Sequence, residues 1–381
     1  MKFLSKINLG FFMDLGGSLE LWNRIGTLRR EVVIYNQLAR KFRRIYFFTY
    51  GTRQDLNYAE QLAPNIRIVF KPRGIPDLFY EFLMPFLKIG VVRKCDILKT
   101  NQNSGALAAV MAKVLSPKAR LVIRSGYIGS EFAQVTRFPF LAKIYFYFEQ
   151  AISYRLCNLA LIPTKANHAK LLRKYPFLRG KLKILNNFID TGLFFKKQAV
   201  KKYDIIYVAR LDGRQKNHQL LLEAARNEDW KILFIGQGDD RERLSKWAQD
   251  NKINLTIIAR VLNEKLPDYY NACRLFVSPS LFEGNPKAML EAMSSELPVI
   301  ALSVPGIKNI INHGKTGILV ENSALDLKKN IQQILRDEET ARELGRRARR
   351  FVLKKFALDK LFIRERKIYQ RLLKGYAKKN N

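Results

Sequence analysis

The sequence predicts an α/β protein of two lobes, each built around a parallel sheet. Three observations carry this expectation. Short apolar runs alternate with amphipathic stretches over nearly the whole chain, the rhythm of strands joined by crossover helices. The alternation forms two series, separated by a stretch where helical periodicity fades. The length, 381 residues, exceeds what one hydrophobic core usually serves.

In the first series, strands are expected near Leu9 to Met13, Ile45 to Tyr50, Ile66 to Phe70, Ile97 to Thr100, Leu121 to Arg124 and Leu159 to Pro163. Amphipathic stretches at Ser18 to Arg40, Ala106 to Leu115 and Lys165 to Lys174 supply helices between them. The second series runs through Asp204 to Ala209, Ile232 to Ile235, Leu255 to Ile258, Leu275 to Ser278, Val299 to Ala301 and Ile318 to Val320. The interdomain linker is placed at Asn186 to Lys202, where Asp190, Thr191 and Gly192 precede a basic run. These limits give an N-terminal domain at 1–190 and a C-terminal domain at 200–355. A C-terminal helix at 356–381 is expected to pack back toward the N-terminal lobe.

Hydrophobic residues make up 48% of the chain and charged residues 27%, a balance that supports packed cores and excludes wholesale disorder. The formal charge of +35 creates a field that attracts anions, whether nucleic acid, phosphorylated substrates or anionic lipid. Cys95, Cys157 and Cys273 are odd in number and lack zinc-ligand spacing, so they read as reduced, buried thiols. No apolar run approaches the roughly 20 residues needed to span a bilayer, and the N-terminus does not read as a secretory signal. A cytoplasmic location is therefore expected, peripheral on the inner face of the cell membrane if the basic surface meets lipid.

The most informative stretch runs from Ser280 to Met293. After a strand ending near Ser278 comes a turn containing Gly284, and then Asn285 and Pro286, read as N-cap and first helical residue. A helix start with free backbone N–H groups is suited to holding phosphate, and the backbone from Gly284 to Lys287 would supply them. Glu283 in the loop and Glu291 inside the helix can face one pocket at different depths and grip hydroxyls. The bland alternative leaves Glu283 solvated and pairs Glu291 with Lys287 across a helical turn.

Two further pieces lie at strand ends of the same domain. Arg210 and Lys216 follow the first strand, where open α/β sheets bind ligands, and can neutralise a leaving diphosphate. Gly236 and Gly238 follow the second strand and permit close backbone approach to a ligand. His168, His218 and His313 have no metal or triad spacing and are assigned structural or surface roles. The run Gly314, Lys315, Thr316 is not a phosphate-binding P-loop, because Asn309 stands where the upstream glycine is required.

In type, order and spacing, Arg210 with Lys216, Gly236 with Gly238, and Glu283 with Glu291 resemble the retaining family 4 glycosyltransferases, closely over Asp204 to Val320. The resemblance implies the GT-B fold, two Rossmann-like doubly wound parallel-sheet domains facing a central cleft. It implies metal-independent transfer of a hexose, with retention, from a nucleoside-diphosphate sugar to a saccharide or lipid-linked saccharide in polysaccharide, lipopolysaccharide or other glycoconjugate biosynthesis. By that likeness Arg210 and Lys216 hold the diphosphate, Glu291 the ribose, and Glu283 with Gly284, Asn285, Pro286 and Lys287 the sugar. Arg260 and Val261 stand where the family clamps the base, with Ala259 replacing a frequent glycine. In the first half, Gly16 and Gly17 resemble the family's glycine-containing first loop, and Asn186 to Thr191 with Phe194 resembles its entry to the second lobe. Where the family often has a histidine near the sugar, this chain has Arg124, Ser125, Gly126 and Tyr127.

No cofactor and no metal are implied, and the sequence contains no Asp-x-Asp. Two other readings compete: a nucleotide-sugar epimerase on the same fold, and a basic nucleic-acid-binding protein. The latter has no helix-turn-helix, zinc-finger or RNA-binding aromatic signature to support it. The aromatic-rich stretches Phe79 to Phe86 and Phe138 to Tyr154, with Lys88, Arg93, Lys143 and Arg155, are expected to meet an anionic membrane surface.

Overall fold

The computed structural model describes residues 4–126, 140–211 and 214–377. The chain divides into two compact units, residues 1–186 with 361–381 and residues 187–360.

The first unit holds seven parallel strands: β1 (Asn8–Phe12), β2 (Arg44–Phe48), β3 (Ile66–Val69), β4 (Ile97–Thr100), β5 (Arg120–Arg124), β6 (Leu159–Ile162) and β7 (Leu182–Ile184). Their spatial order is β3-β2-β1-β4-β5-β6-β7. Strands covered on both faces read as continuous apolar runs, and β4 and β6 are buried at every residue. Helices α1 (Leu19–Arg24), α2 (Leu28–Ala39), α3 (Asp77–Leu87), α4 (Ile89–Val92), α5 (Ala106–Leu115), α6 (Phe140–Leu156) and α7 (Lys165–Lys174) connect them. The single amphipathic stretch expected over Ser18 to Arg40 is two helices. Gly26, at φ +75°, breaks it, and the Thr27 N–H turns back to the Trp22 carbonyl at 2.7 Å.

The second unit holds β8 (Tyr203–Val208), β9 (Ile232–Ile235), β10 (Leu255–Ile258), β11 (Cys273–Ser278), β12 (Val299–Leu302) and β13 (Ile318–Val320), all parallel, in the order β10-β9-β8-β11-β12-β13. Its helices are α8 (His218–Ala224), α9 (Arg241–Asp250), α10 (Leu266–Asn271), α11 (Lys287–Ser294), α12 (Pro305–Lys308), α13 (Ala324–Arg336) and α14 (Glu338–Lys355). Helix α15 (Leu358–Ala377) closes the described chain.

The boundary between units lies at Asn186/Asn187, at the very start of the expected linker, and residues 187–202 belong to the second unit. The basic run is tied down there: the Lys197 N–H donates to Asn271 Oδ1 at 2.7 Å, and Lys201 Nζ to the carbonyls of Asn271 and Cys273. On the C-terminal side the second unit reaches residue 360 rather than 355. The Leu358 N–H donates to the Ile189 carbonyl at 2.9 Å, which anchors the first turn of α15 in that unit. From Leu361 onward α15 is part of the first unit, joined to it by a fully buried ion pair between Glu365 and Lys99 of β4 at 2.6 Å. Tyr369 donates to the same carboxylate at 2.5 Å, and Lys99 sits 4.7 Å from the centre of the Tyr35 ring. Cys95, Cys157 and Cys273 are free and buried, as expected. Among the described residues no helix is long and apolar enough to cross a membrane.

Candidate functional site

In each sheet the strand order reverses once, between β1 and β4 in the first unit and between β8 and β11 in the second. Loops leaving such a pair diverge and open a crevice at the carboxyl ends of the strands, the usual ligand position in open α/β sheets.

In the second unit, the loop after β8 carries Arg210, which is exposed, and a short 3-10 turn, Arg214–Lys216. Asp212 and Gly213 lie outside the described residues. This turn is fastened to the loop after β11: the Leu281 N–H donates to the Gln215 carbonyl at 2.9 Å, and Gln215 Nε2 to the Phe282 carbonyl at 2.9 Å. Beneath it the buried Tyr207 hydroxyl lies 2.7 Å from Ser280 Oγ and 3.1 Å from the Lys216 carbonyl. Burial, then the Glu283 charge, holds this phenol well above its usual titration range, so it stays a neutral hydrogen-bonding group.

The consequence is an ion pair between Lys216 Nζ and Glu283 Oε1 at 2.6 Å, with the side chains 17% and 11% exposed. One Glu283 oxygen therefore orients Lys216, which sets aside the bland alternative of a solvated carboxylate. His218 packs beneath, its ring 5.0 Å from that of Tyr207 and 5.2 Å from that of Phe234. Burial pushes its imidazole down to about 4, so it is neutral and structural.

Helix α11 begins one residue later than expected. Pro286 is its N-cap and Lys287 its first residue, with no side chain capping the start. Asn285 does not cap: only 8% exposed, it has no hydrogen-bond partner on either Oδ1 or Nδ2, while its carbonyl accepts from Asn187 Nδ2 at 2.8 Å. A buried amide left unmatched beside uncapped helical N–H groups is costly unless a ligand completes it. The Asn187 contact was legible only as part of the Asn186 to Thr191 segment, and the orphaned amide had no sequence signal. Glu291 is 1% exposed and its Oε2 accepts from the Tyr270 hydroxyl at 3.1 Å, so this carboxylate lies under the helix start rather than open to the crevice.

Two glycines allow the loops to close up. A Cβ on Gly236 would lie 1.8 Å from the Ala209 carbonyl oxygen, and one on Gly306 would lie 1.6 Å from that of Glu283. Gly236 was singled out from sequence; Gly306, which presses the loop after β12 against Glu283, was not. Gly238 (φ +155°) follows in the same turn, while Arg260 is exposed and Val261 half-buried after β10. The strand ends thus bring Arg210, Lys216, Gly236, Gly238, Arg260, Val261 and the Glu283 to Lys287 loop to the carboxyl edge of one sheet. Among the described residues there is no cluster of metal-ligating side chains.

The first unit's crevice has another character. Gly16 and Gly17 turn after β1, the Gly17 N–H donating to the Asp14 carbonyl at 2.7 Å. The Gly126 N–H donates to Gln102 Oε1 at 2.6 Å, and the Arg124 N–H to Thr100 Oγ1 at 3.0 Å; Tyr127 lies outside the described residues. Behind them the α5 start is met by the Glu149 carboxylate of α6, which accepts the Ala106 N–H at 2.8 Å. Tyr145 of α6 donates to Glu81 of α3. Burial, reinforced by the Glu81 charge, pushes Glu149 up to about 8, and burial pushes Glu81 up to about 6.

Comparison with known proteins places this geometry. Residues 190–351 match the family model described as glycosyl transferases group 1. N-acetyl-alpha-D-glucosaminyl L-malate synthase of Bacillus anthracis is 24% identical over 97% of both chains. The Campylobacter jejuni N-acetylgalactosamine-N,N'-diacetylbacillosaminyl-diphospho-undecaprenol 4-alpha-N-acetylgalactosaminyltransferase is 25% identical, covering 73% of this chain and 79% of its own. Against other curated relatives the chain spans less than half of their length, 45% and 41% in two cases. Among solved structures, Anabaena Alr3699/HepE in complex with UDP and glucose superposes with a TM-score of 0.77 at 15% identity, covering 96% of this chain and 100% of that one. Residues 190–351 are thus similar to the glycosyl transferases group 1 family, and the fold of the chain is that of the GT-B glycosyltransferases.

Proposed function

We propose that this protein is a retaining, metal-independent glycosyltransferase that moves a hexose from a nucleoside-diphosphate sugar to a saccharide or lipid-linked saccharide at an anionic membrane surface. The observation that carries the reading is the Lys216–Glu283 pair fastened beside the uncapped start of α11, with both polar atoms of Asn285 unmatched. A cation held in place, helical N–H groups and a buried amide together suit an anion with several oxygens, as a diphosphate has.

In this reading Arg210 and Lys216 hold the diphosphate, Gly236 and Gly238 let the backbone approach it, and Arg260 with Val261 flanks the base. Glu291 bonds the ribose after a small adjustment of the Tyr270 contact, and the Gly284 to Lys287 backbone meets the sugar. As the bond from the anomeric carbon to the phosphate oxygen breaks, negative charge collects on the phosphate, where Lys216, Arg210 and the α11 start stabilise it without reorganising. The acceptor hydroxyl attacks from the same face, and its proton passes to the leaving phosphate. Glu283 keeps Lys216 aimed, a positioning role.

A thermal-shift panel of UDP, GDP and their sugar conjugates tests the donor class, because a ligand that binds only the native state stabilises it by RT ln(1 + [L]/Kd). One nucleotide series should raise the melting temperature. No response to any of them removes the reading, and an inverted anomeric centre in the product would remove retention alone.

A further inference from the structure

Helix α3 presents an apolar stripe to solvent. Leu78, Phe79, Phe82, Leu83, Phe86 and Leu87 are all exposed, Phe79 at 66%, while Tyr80, Glu81, Met84 and Pro85 face inward. Pairs four residues apart share one face, so this is a continuous ridge about 16 Å long rather than scattered surface leucines. Helix α6 reaches α3 through the Tyr145–Glu81 hydrogen bond, and it too carries exposed apolar residues, Phe140, Ile144 and Phe148. Soluble proteins rarely leave so many large apolar side chains together unless something covers them.

Charge selects the occupant. Between residues 71 and 94 the acids are Asp77, paired with Lys71, and Glu81, buried. Exposed charges flanking the ridge are positive: Arg73 before it, Arg93 and Lys94 after it. Lys88 caps its C-terminal end, 5.7 Å from the centre of the Phe70 ring. A second copy of a chain carrying +35 would meet this face with the same sign of charge, whereas an anionic lipid surface meets both the rings and the cations.

We propose that α3, with the exposed face of α6, is the face by which the protein docks on an anionic lipid monolayer, α3 lying in the headgroup plane. The ridge is too short to cross a bilayer and suited to lying in its surface. Its N-terminus adjoins the glycine loop, where a Cβ on Gly16 would lie 3.3 Å from Asp77 Oδ2. A lipid-linked acceptor moving in the monolayer therefore arrives beside the β1 loop. That last step rests on the proposed transfer reaction; the docking does not.

The test is co-sedimentation with phosphatidylglycerol and phosphatidylcholine vesicles at about 0.1 M salt, where the Debye length is about 10 Å. The wild type should bind phosphatidylglycerol preferentially. Phe79→Ser with Phe86→Ser should lower that partitioning at least about tenfold, through lost apolar insertion. Arg93→Ala with Lys94→Ala should lower it several-fold for phosphatidylglycerol alone. Thermal shifts with nucleotides should match wild type in all variants, since none touches the second unit's crevice. A Phe pair that binds as before overturns the docking face alone; wild type that ignores phosphatidylglycerol overturns it together with the membrane location proposed above, and leaves the transfer chemistry intact. A dimer in sedimentation equilibrium that the Phe pair abolishes, without vesicle binding, overturns it in favour of a second copy.

Discussion

The two sheets reverse strand order at equivalent places, yet the side chains gathered at and behind the two crevices are opposite in chemistry. In the second unit a half-buried lysine, an exposed arginine and an uncapped helix start face the carboxyl edge, and the Glu283 carboxylate orients the lysine. In the first unit the equivalent helix start is already occupied by Glu149, with Glu81 behind it and the Lys99–Glu365 pair sealed below the sheet. Topology sets where a ligand can sit, and side chains decide whether an anion is welcome there. The first unit's buried charges should therefore matter for stability, and the second unit's for binding.

The largest effect expected is on the sealed pair. Lys99→Met leaves Glu365 buried without its partner and should lower stability by about 3–5 kcal/mol, read by denaturant unfolding. Glu365→Leu added to it should restore much of the loss. A single variant as stable as wild type would break the comparison at once.

The next effect concerns protons. Folded pKa values raised above the carboxylate norm of about 4.5, to about 6 for Glu81 and about 8 for Glu149, mean that the native state binds more protons than the unfolded one between those limits. The stability they contribute is full below about pH 4.5 and is lost as pH rises toward about 8. Melting temperatures of Glu149→Gln should fall less over that range than those of wild type, so that the variant gains relative to it above pH 8. Parallel profiles would show that Glu149 is ionised throughout.

Glu291 lies between the two classes. Its burial and its bond to Tyr270 predict that Glu291→Gln loses about 1 kcal/mol of stability, together with weaker nucleotide binding. Melting and titration of the same sample separate the two. Unchanged affinity would remove it from the ribose.

Much of this was legible, for physical reasons that vary by element. Ala106–Leu115, Lys165–Lys174 and strands such as Ile232–Ile235 were read at their true limits, because a buried parallel strand is a bare apolar run between polar turns. Strand β7 escaped because only Leu182 of its three residues is buried, leaving no apolar run to see. Helix α3 escaped because apolar residues on both its faces erase the 3.6-residue period; its exposed side is the proposed docking ridge. At the candidate site, residue types and spacings singled out Lys216, Glu283 and Gly236, which the structure brings to one sheet edge. Their pairing, the one-residue shift of the helix start and the unmatched Asn285 are products of loop packing that no local pattern encodes.

The smallest stability effect belongs to Lys216, and with it the central claim. Lys216→Ala should change stability by about 1 kcal/mol or less, because its ion pair is partly solvated. Turnover should fall at least about tenfold, as it should for Arg210→Ala. The direct measurement is calorimetric titration of wild type and Lys216→Ala with UDP, GDP and the corresponding nucleosides. A diphosphate held at the β8 and α11 crevice predicts at least about tenfold weaker binding of the nucleoside diphosphate by the variant, with nucleoside affinity unchanged. Equal affinity of both proteins for the diphosphate would contradict the account.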